Sequence, residues 1–148
     1  MRYEKLIASP IGALTIASDG ASVTAVRFGD MTSGLSSCAL LEQAAEELAE
    51  YFAGQRRAFT VQLNAQGTAF QRSVWAALCE IGYGETVSYA QIAERIGNPT
   101  ACRAVGSANN RNPIPIFIPC HRVIGKNGSL IGYAGGMEIK EFLLRLER

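Results

Sequence analysis

The stretch TVSYAQIAERIGNP at residues 86–99, continued through Thr100, Ala101, Cys102 and Arg103, decides how the second half of the chain folds. It reads as a short helix capped near Ser88 and stopped at Gly97. Asn98 then caps a second helix with Pro99 at its first position, where the missing N–H costs nothing. Helix, glycine-containing turn and helix form the helix-turn-helix pattern, in which the second helix enters a DNA groove by its N-terminal residues; here those include Arg103. An ordinary corner between two helices satisfies the same pattern, and both readings stand at this level.

Upstream, Asn64-Ala65-Gln66-Gly67 is a polar link containing a breaker. Thr68 followed three residues later by Gln71 is a capping-box pattern, so a helix is predicted to begin there, with Phe70, Val74, Ala77 and Leu78 at helical spacing and Gly82 and Gly84 breaking the pattern. Before the link, Tyr3–Ala8, Ala13–Ala17 and Val23–Phe28 are short strand-like runs separated by Ser9-Pro10-Ile11-Gly12 and Asp19-Gly20, the pattern of a meander. Ser36 or Ser37 is placed to cap a helix with Leu41, Ala44, Leu48 and Phe52 on one face and Glu42, Glu46 and Glu50 toward water, ended by Gly54. The expected fold is therefore an α/β protein of two lobes. Residues 1–63 form a small α/β scaffold with a short antiparallel sheet, and residues 67–148 form a mostly helical domain containing the helix-turn-helix.

Composition agrees with a globular chain: 148 residues, 48% hydrophobic, 18% charged, formal net charge +1. No apolar run approaches the roughly 20 residues of a bilayer span and the N-terminus lacks a leader's apolar region, so the expectation is a cytoplasmic protein with no membrane partner. Cys38, Cys79, Cys102 and Cys120 are widely spaced and there is one histidine, His121, which argues against a zinc site and, in that compartment, for free thiols. Residues 1–66 carry five Lys/Arg against seven Asp/Glu, whereas residues 67–148 carry nine against six. From Arg95 to Met137 there are five basic residues and no acidic one, a modest excess that suits an anionic partner such as nucleic acid.

The segment PIPIFIPCHRVIG at residues 113–125 carries the chemistry. Its prolines exclude a central strand, so an irregular run leading into a tight turn is expected, a setting that displays a reactive side chain. Cys120 is the candidate nucleophile, with His121 and Arg122 as sources of a base or a positive field, because a thiol with its pKa near 8.5 is mostly protonated at neutral pH. Adjacent residues in an extended run point apart, so a water is predicted between Cys120 and His121. A carboxylate to orient the histidine is available at Glu147, beside the apolar stripe of Ile139, Phe142, Leu143 and Leu146 on the last helix. It could reach the rim of the core; its place one residue from the end of the sequence, taken alone, favours a frayed, solvated side chain instead, and both readings stand.

The string Pro119-Cys120-His121-Arg122-Val123-Ile124, preceded by Asn112-Pro113 and followed by Gly132-Tyr133-Ala134-Gly135-Gly136, resembles the O6-alkylguanine-DNA alkyltransferase family over about Thr68 to Glu147, with a weaker match in the N-terminal lobe. The resemblance implies a protein that needs no cofactor or metal and acts as a monomer on double-stranded DNA containing O6-alkylguanine, leaving cooperativity along DNA open. It makes Cys120 the acceptor of the alkyl group, never regenerated, and His121 the base that deprotonates it through a water. Glu147 becomes the orienting carboxylate and Asn112 the brace of the turn. Arg103 would fill the gap left by an extruded nucleotide, and Tyr89 would help rotate that nucleotide and then hydrogen-bond the base. The carbonyls of Cys120 and Val123 would accept from the guanine amino group, the segment around Tyr133 would close the pocket, and main-chain donors near Ala134 would bind O6. O4-alkylthymine is the implied second substrate. Pro115 matches a platform for O6-benzyl groups, while Ile131, near a glycine of benzyl-sensitive relatives, is expected to narrow the pocket and slow reaction with O6-benzylguanine. A non-catalytic alkyltransferase-like damage sensor lacks the cysteine that Cys120 supplies, and a Cys/His/Glu hydrolase would differ by turning over.

Overall fold

The computed structural model describes residues 2–125, 128, 133 and 135–148, which divide into two compact units, Met1–Gln66 and Gly67–Arg148. In the first unit, β1 (Tyr3–Ile7), β2 (Leu14–Ser18) and β3 (Val23–Phe28) form an antiparallel sheet in the order β1-β2-β3. The predicted meander is present. Leu14 and Ile16 point from the central strand toward α1 (Ala39–Phe52), whose Leu41, Ala44, Leu48 and Tyr51 are fully buried. That helix begins later than the sequence suggested: its N-cap is Cys38, with no side-chain cap bond, and Ser37 donates its hydroxyl to the Glu42 carboxylate at 2.6 Å. Glu47, also on α1, is buried instead of solvated and accepts from Thr60 N–H at 2.7 Å, fixing the segment that leads out of the unit.

In the second unit, α2 (Ala69–Leu78) starts on the predicted capping box, with Thr68 and Gln71 bonded reciprocally. Its Trp75 indole donates to the Ala108 carbonyl at 2.9 Å and so ties α2 to α4 (Cys102–Asn110). A second capping box, Ser88 with Gln91, opens α3 (Tyr89–Arg95). The helix closes where Gly97 takes φ +78, Gly97 N–H bonding the Glu94 carbonyl and Asn98 N–H the Ala93 carbonyl, a chain reversal that a side-chain-bearing residue adopts only with strain. Asn98 does not cap the next helix. Its carbonyl accepts from Ala101 N–H at 3.0 Å, so Asn98-Pro99-Thr100-Ala101 is a turn with proline at its second position, and α4 begins three residues later than predicted with Ala101 as N-cap. Helices α3 and α4 pack on each other and on α2, giving the helix-turn-helix a three-helix base.

Beyond α4 the chain is irregular as far as a 3-10 turn at Cys120–Arg122, which runs into β5 (Val123–Ile124) beside β4 (Val87–Ser88) in a two-stranded parallel pair. The last element is α5 (Met137–Leu146). Of the predicted apolar stripe Leu143 is fully buried and Ile139, Phe142 and Leu146 are half-buried; the residues that share the buried line with Leu143 are Lys140 and Glu147. Residues three and four apart share a helix face, so one face of α5 carries a cation, a leucine and a carboxylate into the interior.

Candidate active site

Asn112 organises the loop that delivers Cys120. Its side-chain amide donates to the Ile118 carbonyl at 2.8 Å while its side-chain oxygen accepts from Ile114 N–H at 2.9 Å, so one buried residue holds both arms of the 112–118 loop. Within that loop Ile116 is buried at φ +76, a left-handed conformation that is costly for a β-branched residue and persists because its surroundings impose it. The chain then tightens: Cys120 N–H donates to the Ile118 carbonyl at 2.8 Å, Arg122 N–H to the Pro119 carbonyl at 3.0 Å, and Val123 N–H to the Cys120 carbonyl. Three consecutive side chains, Cys120, His121 and Arg122, are buried by this turn.

His121 Nε2 lies 2.7 Å from Glu147 Oε2, with both residues buried. A carboxylate on Nε2 fixes that nitrogen as the N–H donor and leaves the lone pair on Nδ1, which is buried and has no hydrogen-bond partner among the described residues. Burial holds the imidazole below its ordinary pKa even though Glu147 pulls the other way, so the ring is neutral at pH 7. Burial pushes the Cys120 thiol up to about 11, opposed by the Asn112 amide and the Lys140 cation, so the resting group is a thiol. A neutral base with a free lone pair and a thiol in need of deprotonation are thus neighbours in one buried turn.

Glu147 is not frayed. Arg122 clamps it through Nε to Oε1 at 2.8 Å and Nη2 to Oε2 at 3.0 Å, while Arg122 Nη1 donates to the Ile81 carbonyl at 2.7 Å. The loop after α2 closes over the helix end: Tyr83 Oη donates to the Leu146 carbonyl at 3.2 Å and Gly84 N–H approaches Glu147 Oε1 at 3.4 Å. Gly84 has φ +80, and a Cβ there would come within 3.0 Å of the Glu147 carbonyl, so glycine is required twice over. Of the two readings of Glu147 the buried one holds, because Arg122 and the 81–84 loop, neither of which shows in helical periodicity, pack on the helix end.

Around the thiol, Tyr89 is the first residue of α3 and half-buried, and both burial and the nearby Cys120 raise its phenol pKa. Tyr133 is buried and its phenol is pushed well above the ordinary value by burial, with Cys120 again adding to the shift. Val123 is fully buried, and Lys140, a residue the sequence reading missed, donates from Nζ to its carbonyl at 2.5 Å. Asn109, also missed, donates from its side chain to the Cys120 carbonyl at 3.4 Å. Pro115 is buried within the braced loop, and Arg103 is exposed on the first turn of α4. Ala134 and Ile131 lie outside the described residues. A cavity of about 170 Å³ borders the far side of Glu147 near Thr86 and Leu144 and does not include Cys120 in its wall. Among the described residues no cluster of three or more His, Cys, Asp and Glu is placed to hold a metal ion, and no helix is long and apolar enough to cross a membrane.

Comparison with known proteins meets this geometry from the other side. Residues 69–148 match the family described as 6-O-methylguanine DNA methyltransferase, DNA binding domain, and residues 1–65 match its ribonuclease-like domain. A methylated-DNA–protein-cysteine methyltransferase of Methanosarcina acetivorans is 50% identical over 98% of this chain and 97% of its own length. The solved O6-methylguanine methyltransferase of Mycobacterium tuberculosis superposes with a TM-score of 0.91 at 46% identity, covering 99% of this chain and 93% of that one. A structure of Mycobacterium tuberculosis OGT in complex with DNA gives 0.92 at 48% identity, covering 98% and 92%.

Proposed function

The chain belongs to the 6-O-methylguanine DNA methyltransferase family, and from that premise we propose that it repairs alkylated DNA by taking the alkyl group irreversibly onto Cys120. The observation that carries the assignment of roles is the buried contact of 2.7 Å between His121 Nε2 and Glu147 Oε2. It commits the imidazole to accept a proton at Nδ1. His121 takes the Cys120 proton through a water, and the thiolate attacks the carbon attached to O6. The S–C bond forms as the C–O6 bond breaks, the electron pair leaves on O6, and the purine takes up a proton to become guanine. Each molecule reacts once, because the product is a thioether, whose C–S bond water does not hydrolyse. O4-alkylthymine, which carries the same alkyl–oxygen bond, is the second substrate.

O6 is buried in the base stack of a duplex, so the nucleotide must be extruded, at a cost of about a few kcal/mol that is least for a badly paired base. The exposed Arg103 on the leading turn of α4 suits an entry into the minor groove and the gap left by the extruded base. Tyr89, the first residue of α3 and close enough to Cys120 to feel its charge, suits the rotation of the nucleotide and a hydrogen bond to the base, and Tyr133 suits the pocket wall. The carbonyls of Cys120 and Val123 read the guanine 2-amino group.

The test is intact-protein mass spectrometry after mixing with duplex DNA containing O6-methylguanine, followed by peptide mapping. One methyl group per molecule on Cys120 is expected, in a single stoichiometric burst. An adduct on Cys38, Cys79 or Cys102, or sustained turnover of the kind a Cys/His/Glu hydrolase gives, would overturn the proposal.

A further inference from the structure

A lysine side chain with no exposed surface needs a reason, because removing an amine from water disfavours its charged form and a polar head left without a partner is costly. Lys140 is such a residue. Its Nζ lies 2.5 Å from the carbonyl of Val123, one residue past the Cys120–Arg122 turn. The strand pairing that restrains Val123 is two residues long, so it gives the carbonyl little support of its own. The neighbouring Cys120 carbonyl has a corresponding donor in the Asn109 side chain at 3.4 Å. Each of the two carbonyls that face a bound base in the reading above is therefore held by a buried side-chain donor.

We propose that Lys140 is a positioning residue for base specificity: by fixing the direction of the Val123 carbonyl, it makes the site demand the exocyclic 2-amino group of guanine. The inference rests on the reading that this carbonyl accepts from that amino group. A carbonyl oxygen can accept more than one hydrogen bond but never donates, so a fixed one at this edge favours an amino-bearing purine and gives nothing to hypoxanthine, which carries hydrogen there. Hydrogen bonds weaken steeply with misalignment, so a carbonyl free to swing loses that preference even while it stays in the pocket. The cation also lies near the Cys120 thiol and favours its thiolate. That effect acts on the nucleophile and changes the rate for every base equally.

The two roles separate in a comparison of single-turnover methyl transfer from O6-methylguanine and O6-methylhypoxanthine in the same duplex. The wild type is expected to prefer the guanine substrate by roughly tenfold, the worth of one well-made hydrogen bond. In Lys140→Met, which fills the space with an unbranched apolar chain, the ratio of the two rates should fall to about threefold or less, whatever the absolute rates do. Lys140→Gln, which keeps a donor on a shorter arm, should fall between the two. Stoichiometric methylation of Cys120 by the hypoxanthine substrate certifies that each variant is folded. An undiminished ratio in Lys140→Met, or in Lys140→Gln should the methionine variant not fold, refutes the positioning role. A wild type with no preference refutes instead the reading of the Val123 carbonyl as an acceptor.

Discussion

Substituting Glu147 by glutamine removes one negative charge and almost no volume, yet the structure predicts a severe loss. The carboxylate uses both oxygens: Oε1 accepts from Arg122 Nε at 2.8 Å and Oε2 from His121 Nε2 at 2.7 Å and Arg122 Nη2 at 3.0 Å. An amide has one acceptor oxygen and a donor NH2. If the oxygen faces His121, the NH2 is driven against Arg122 Nε; if it faces Arg122 Nε, the NH2 meets His121 Nε2 and forces the ring to carry its proton on Nδ1. The second arrangement abolishes the base, and a histidine locked in the wrong tautomer has cost a hydrolase about 10⁴-fold in rate. Either arrangement leaves the buried Arg122 charge uncompensated, and breaking a buried pair costs about 3–5 kcal/mol. For a domain of this size 1 kcal/mol moves the melting temperature by about 4–8 °C, so a fall of more than 10 °C is expected. Rapid-quench methyl transfer from O6-methylguanine DNA and a calorimetric melt check the two arms. A Glu147→Gln protein within about threefold of the wild-type rate and with an unchanged melt would mean that water replaces the carboxylate freely, as at a frayed helix end, and that the clamp has no role.

Arg103→Ala should slow repair in duplex DNA far more than reaction with free O6-alkylguanine base, since the arginine acts on extrusion; equal losses on both substrates would remove it from that role. His121→Ala should fold and transfer methyl roughly 100-fold or more slowly at pH 7, the range of a general base. Its rate should climb with pH toward the thiol value of about 11, whereas the wild type should hold its rate down to the depressed pKa of His121 and lose it only as the ring protonates below that. A pH–rate profile shared by the two proteins would exclude the imidazole as base.

Local chemistry made much of this molecule readable. The capping boxes at Thr68 and Ser88 mark their helices because they satisfy N–H groups that no helix can satisfy internally, and the β-branched runs between Pro10, Gly12 and Gly20 mark the meander. What failed to show was where α1 and α4 take their first residues. Ser37 donates its hydroxyl to Glu42 while α1 starts beyond it at Cys38, and Asn98–Ala101 closes as a separate turn so that α4 starts beyond Asn98. The site divides in the same way. Cys120, His121 and Arg122 stand in one contiguous motif with Asn112 shortly before it, whereas nothing in the local sequence marks Lys140 or Asn109. The available signal was spacing: Lys140, Leu143 and Glu147 recur at i, i+3 and i+7, a single helix line, and that line proved to be the buried one.

That buried line explains why so costly an arrangement suits this chemistry. Four ionisable side chains, His121, Arg122, Lys140 and Glu147, lie beneath the surface of a small domain, and apolar replacements of similar volume would serve stability at least as well. What apolar packing lacks is direction. The Glu147 carboxylate is held at its two oxygens by groups from one 3-10 turn, and the arginine that holds it is anchored in turn to the Ile81 carbonyl. Rotating the carboxylate therefore breaks several bonds together, which keeps the imidazole in one tautomer. Lys140 gives a backbone carbonyl the same treatment on the other side of the turn. In the single-turnover reaction proposed above there is no later cycle in which to correct a misplaced proton or a wrong base. The geometry of its single event must be set before the nucleotide arrives, and buried charges joined by directional hydrogen bonds set it.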